Sequence, residues 1–179
     1  MRSASLLLLI GIAAAMAACS PRPPAQLASP RPSPRGRGPW LHITGSGTAR
    51  QPIRFVATSR DNRKEYDLVA RSYESNGAQG TSIATFSIVH VTFYGKGGAL
   101  VSNAAKAIVD EAANTITLAD NVHARSNSGM TLTCDTLRYN RTTQMVHGEG
   151  HVVMTNAQGM RATGNSVDTD ITLTRARMQ

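Results

Sequence analysis

Three kinds of side chain in this sequence could carry chemistry. Thiols come first: Cys19 closes the run Met16-Ala17-Ala18-Cys19, and Cys134 stands alone in the later sequence. A reactive thiol needs a neighbouring base or cation. None is identifiable for Cys134, which reads as a small buried hydrophobe. Imidazoles come second. His147 and His151 are four apart, a zinc-binding spacing on a helix. Here the surrounding pattern is that of a strand, and Gly148 and Gly150 point to a turn or bulge. His90 and His123 add no ligand pattern. The carboxylates of Asp168 and Asp170 would share a strand face and read as solvated surface. Asn140-Arg-Thr142 fits a glycosylation sequon and nothing more. With no Ser-His-Asp context and no phosphate loop, the residues point away from an enzyme, a metal site or a cofactor.

Cys19 differs because of what precedes it. Arg2 supplies a positive start, and Leu6 to Ala18 is an unbroken run of small and aliphatic residues. Such a run is shorter than the roughly 20 residues a membrane-spanning helix needs, and suits an export signal. Its end resembles the lipobox of bacterial lipoproteins, in which small residues precede a cysteine that accepts a diacylglycerol. Residues 1–18 are therefore expected to be a lipoprotein signal peptide, with Cys19 the site of lipid attachment. Lipid on Cys19 would leave Cys134 without a disulfide partner.

Residues 19–39 follow as an expected tether. They include Pro21, Pro23, Pro24, Pro30, Pro32, Pro34 and Pro39, with Ser, Arg and Gly between them. Proline removes backbone donors, and so little apolar surface cannot offset chain entropy. The tether also explains the charge. The chain is +8, with 19 basic and 11 acidic residues. Arg2, Arg22, Arg31, Arg35 and Arg37 all precede residue 40, where no acid occurs, so the remainder is close to neutral. A basic tail without interleaved aromatics suits an anionic surface better than base reading, and no nucleic-acid partner is expected.

From Trp40 the pattern changes to alternation of apolar and polar residues, rich in Thr, Val and Ile. Residues 40–179 are expected to be one all-β domain. Strands are predicted near 52–58, 65–73, 83–94, 99–109, 115–125, 130–140, 144–155 and 160–173. The alanine-rich stretch 103–113 could be helical by composition, but Ile108-Val109 favours a strand. A repeat of 30 residues superimposes Ile116 on Val146, Val122 on Val152 and Gly129-Met130 on Gly159-Met160. Within each copy the apolar phase slips by one residue, as between Cys134 and Leu137. An extra residue is a β-bulge, which bends a strand. Bulges at equivalent places would curve the sheet around an interior lined by Val89, Val91, Phe93, Ile116, Leu118, Val122, Met130, Leu132, Leu137, Tyr139, Val146, Val152, Met154 and Met160. Periodicity alone favours a closed, packed core there. The aliphatic and Met content would also suit an adaptable apolar channel.

Several stretches carry a family resemblance: Tyr66-Asp-Leu-Val-Ala-Arg-Ser-Tyr73, Val91-Thr-Phe-Tyr94, Ile116-Thr-Leu-Ala-Asp-Asn-Val122, Gly129-Met-Thr-Leu-Thr-Cys-Asp-Thr-Leu-Arg-Tyr-Asn140 and Val146-His-Gly-Glu-Gly-His-Val152. In order and spacing they resemble the OstA-like periplasmic lipopolysaccharide-transport proteins over residues 64–174. The resemblance implies a twisted open β-jelly roll of stacked antiparallel strands, whose apolar groove holds lipopolysaccharide acyl chains. It also implies edge-to-edge stacking on a neighbouring OstA-like domain of the LptA kind. A membrane-anchored member would be LptC-like and take lipid from an inner-membrane ABC transporter. The chain would then be periplasmic and held to a membrane, the inner one favoured, by lipidated Cys19. Two other readings stay open: a structural envelope lipoprotein with a closed β core, and a binder of anionic polymer through the basic tail.

Overall fold

The computed structural model describes residues 41–77 and 82–179. Cys19, the expected signal peptide and the expected tether lie outside them. Ten strands form one antiparallel sheet: β1 (Leu41–Ser46), β2 (Ile53–Thr58), β3 (Lys64–Gly77), β4 (Ile83–Gly95), β5 (Gly98–Asp110), β6 (Thr115–Ser126), β7 (Thr131–Asn140), β8 (Met145–Thr155), β9 (Arg161–Asp170) and β10 (Arg177–Met178). The sheet is a meander from β3 to β10, with β1 and β2 lying end to end along the outer edge of β3. The fold is a twisted open β-jelly roll.

The predicted strands are present, and the alanine-rich stretch is strand β5. Two ends differ. β1 precedes the first expected strand, and the last expected strand stops at Asp170, where a turn leads to β10. Asp170 makes that turn: its carboxylate accepts from the Thr172 and Thr174 backbone N–H groups at 3.1 and 3.3 Å.

A seam crosses the strands and bends them. On β6, Asp120 and Asn121 face the single residue Asp135 of β7, and on β8, Gly150 and His151 face Asn165 of β9. Two residues opposite one is the geometry of a bulge. Asp120, Asn121, Gly150 and His151 all take positive φ, at 65°, 57°, 75° and 47°. These pairs are 30 residues apart, so the repeat seen in the sequence is a repeat of the bend. Ile88 of β4 continues the seam at φ 49°.

Bending folds one half of the sheet over the other. Phe93 of β4 meets Tyr139 of β7 with ring centroids 4.4 Å apart, although two strands separate them in the sheet. The inner faces bury Leu68, Leu100, Ile116, Leu118, Leu132, Leu137 and Val167 completely. Full burial of such a side chain contributes about 1.5–3 kcal/mol. Cys134 is part of this core.

Candidate functional site

The interior between the two sheet halves is the candidate site. Alternation selects its lining strand by strand, and the seam resets the phase. On β4, Val89, Val91 and Phe93 point inward beyond Ile88, as Phe86 does before it. On β6 and β7, Ile116, Leu118, Val122, Leu132, Leu137 and Tyr139 do the same. Val146, Val152 and Met154 of β8 complete the set, each 4% exposed or less. Met130 is half-buried and packs against this cluster.

Met160 does not belong there. The repeat superimposes it on Met130 and so predicts it inside, yet it is 70% exposed. The two positions have different neighbours. Met130 precedes β7, which has strands on both sides. Met160 precedes β9, whose outer edge is met, among the described residues, by β10 at Val167 and Asp168 and by Gln179 at Asn165 and Ser166. A repeat specifies which way a residue points, and cover comes from the next copy, which is missing at the end of a sheet.

At the β1–β5 end the interior opens. A hollow of about 240 Å³ is lined by Ile43, Phe55, Tyr66, Tyr73, Phe86 and Val109, among others. Phe55 stands edge-on to Tyr73 and to Phe86, with centroids 5.1 and 5.0 Å apart. These aromatics form a mouth leading to the aliphatic interior. Sequence reasoning missed them: Phe86 is out of phase with Val89, Val91 and Phe93, and only the reset at Ile88 turns it inward. Ile43 had no signal, because no strand is expected over β1. At the opposite end, Met178 of β10 packs against the core beside Gly164.

Deeper inside, most of the lining is inert. The Ser102 hydroxyl is buried with no hydrogen-bond partner. An unmet buried hydroxyl costs about 1–3 kcal/mol. Burial pushes the Cys134 thiol up to about 12, with the Asp135 charge adding to the effect, so the thiolate is not formed near neutral pH.

The remaining polar candidates lie on the outer face. His147 is held between two carboxylates, Asp168 at 2.7 Å and Glu149 at 3.0 Å, and these hydrogen bonds raise its pKa. His151 bonds Asp135 at 2.7 Å. Among the described residues, no group of three or more His, Cys, Asp or Glu side chains is placed to hold a metal ion. Asp168 and Asp170 do different work: the first holds His147, the second caps the β9–β10 turn.

A wider hollow, about 580 Å³, is also on the outer face, lined by Val101, His123, Arg125, Thr131 and Thr133 among others. It is larger than the mouth but lies across the sheet from the apolar interior, and its lining mixes charge, amide and aliphatic groups with no convergent pattern.

An ion pair pins the roll beside the mouth. Arg141, after β7, donates to Glu65 of β3 at 2.6 Å and lies over the Tyr66 ring, 5.6 Å from its centroid. On a second line, the Gln144 side-chain carbonyl accepts from the Lys96 backbone N–H at 3.1 Å. Both contacts join parts of the sheet that are not strand neighbours.

A protein-family model described as lipopolysaccharide-assembly, LptC-related, matches residues 50–178. No curated protein matches the chain.

Proposed function

Because the chain belongs to the LptC-related family of lipopolysaccharide-assembly proteins and so takes part in lipopolysaccharide transport, we propose that it is a lipid-anchored carrier whose interior takes the acyl chains of lipopolysaccharide. One observation carries this reading: the aliphatic interior is continuous with an apolar, aromatic-lined mouth at one end of the roll. Acyl chains leaving water for such a lining gain about 25 cal/mol per Å² of apolar surface buried, before ordering costs. The interior is filled by its own side chains, with Leu118 and Leu132 fully buried. Carriage therefore requires the sheet halves to part, and chains would advance from the mouth as they do. The flexible side chains of Met130 and Met154 suit such repacking.

The same reading assigns the ends. Cys19 would hold the protein at a membrane, the inner one favoured, with residues 20–39 as spacer. Lipid would come from an inner-membrane ABC transporter. A neighbouring OstA-like domain would add its strand to an open edge, as exposed backbone donors and acceptors allow. On β9 the stretch from Arg161 to Thr163 is such an edge among the described residues, because β10 pairs with Val167 and Asp168, Gln179 bonds Asn165 and Ser166, and Met178 lies against Gly164. Mass spectrometry of lipid co-purifying with the full chain tests the carrier. Bound lipopolysaccharide is expected. Recovery of lipid-free protein from a lipopolysaccharide-producing host would instead favour a structural lipoprotein with a sealed core.

A further inference from the structure

Next to the mouth lies a second hollow of opposite chemistry. Its volume is also about 240 Å³, and its lining includes Ser59, Arg63, Lys64, Glu65, Lys96 and Gln144. Three turns distant in sequence build it: β2–β3 brings Ser59 and Arg63, β4–β5 brings Lys96, and β7–β8 brings Gln144. Three cations face one carboxylate, and that carboxylate, Glu65, is already engaged by Arg141 at 2.6 Å. Arg63 holds Asp61 only at the open surface, where both are more than 70% exposed. Lys64 pairs with Asp67 at 3.8 Å, a carboxylate it shares with Arg54, and its ammonium lies 5.9 Å from the centroid of the Tyr94 ring that lines the hollow. The hollow is thus a concave, net-positive site, and low-dielectric walls strengthen the field inside it.

The two hollows are lined by consecutive residues of β3 and linked by one arginine. Glu65 lines the basic hollow and Tyr66 lines the mouth. Arg141 reaches both, and its buried Nε–H has no acceptor among the described residues.

We infer that this hollow binds a phosphate monoester, presented by the headgroup of a lipid whose acyl chains enter the adjoining mouth; the headgroup assignment rests on the carrier reading above. A phosphate carries up to two charges and three acceptor oxygens. Lys64 and Lys96 meet it as point charges, and Arg63 offers a planar fork of donors. Cations arriving from separate turns suit its tetrahedral spread of oxygens better than a planar carboxylate.

The test uses the full chain and its Arg63→Gln/Lys96→Gln variant. Both side chains are exposed, so the fold is expected to survive, and circular dichroism checks it. Inorganic phosphate is titrated while the Ser59 and Lys96 backbone amides are followed by NMR. Saturable shifts that vanish in the variant are expected, whereas unshifted amides overturn the site even if the protein binds lipid. Lipopolysaccharide is then compared with its phosphatase-treated form. The variant, which loses two cations, should bind the intact form at least about tenfold more weakly, the scale of a single charge-assisted hydrogen bond, and the treated form unchanged. Equal losses for both forms, or none for either, overturn the headgroup assignment and leave free phosphate as the ligand. Failure of both forms to bind the unaltered chain removes the carrier reading, while the phosphate titration still decides the hollow.

Discussion

Asn121 is exposed and sits in the middle of β6. By strand propensity, Asn121→Val should help, since Val outranks Asn by up to about 1 kcal/mol in sheets. The seam reverses the sign. Asn121 has φ 57° and follows Asp120 at φ 65°. Left-handed backbone costs an ordinary L-residue about 1–2 kcal/mol, and a β-branched side chain is worst placed to adopt it. Asn tolerates it through local hydrogen bonding, so the substitution should lose about 1–2 kcal/mol. In urea unfolding of the full chain, with a slope of about 2 kcal/mol per molar, the midpoint should fall by about 0.5–1 M. Asn121→Gly should leave it unchanged or raised, because glycine takes positive φ freely. Lys106→Val, also exposed but on extended backbone, should stay within about 0.5 kcal/mol of the parent. A midpoint for Asn121→Val at or above the parent's would refute the argument that the seam is held by backbone conformation at these residues.

Other outcomes follow from the same structure. A photo-crosslinking residue at Phe86 or Met154 should capture lipopolysaccharide in cells, and one at outward-facing Thr117 should not; equal capture at all three would remove the interior as the lipid path. His147→Gln should flatten part of the pH dependence of stability. The His147 pKa is raised by its hydrogen bonds to Asp168 and then Glu149, so its contribution is complete below the ordinary histidine value and fades as pH rises through the folded one. His147 is 36% exposed, so solvent screening holds the effect below about 1 kcal/mol, and parallel denaturation curves for the two proteins from pH 5 to 8 would contradict it. Cys19→Ala should abolish incorporation of a fatty-acid analogue, and undiminished label would move the anchor elsewhere.

Much of this protein was legible in its sequence because the signals are local. Period-two alternation follows from the pleat of a strand and needs no partner to be read. It identified Val91, Ile116, Leu118 and Leu132 as inward-facing before any strand was paired. The slip between Cys134 and Leu137 marked where the sheet bends, but the extra residue lies on the neighbouring strands β6 and β8 and not on β7 itself. The 30-residue repeat then carried the bend to β8 and β9. Tertiary structure decided what depends on neighbours far away in the chain. Met160 is exposed because, among the described residues, the terminal segment reaches β9 only from Gly164 to Asp168. Phe55, Tyr73 and Phe86 become a mouth only when β2, β3 and β4 are folded so that their rings meet. Arg63, Lys96 and Gln144 share a hollow because the folded sheet brings three distant turns together. Alternation sets which face a side chain takes, but what it meets there is fixed only when the two halves close on each other.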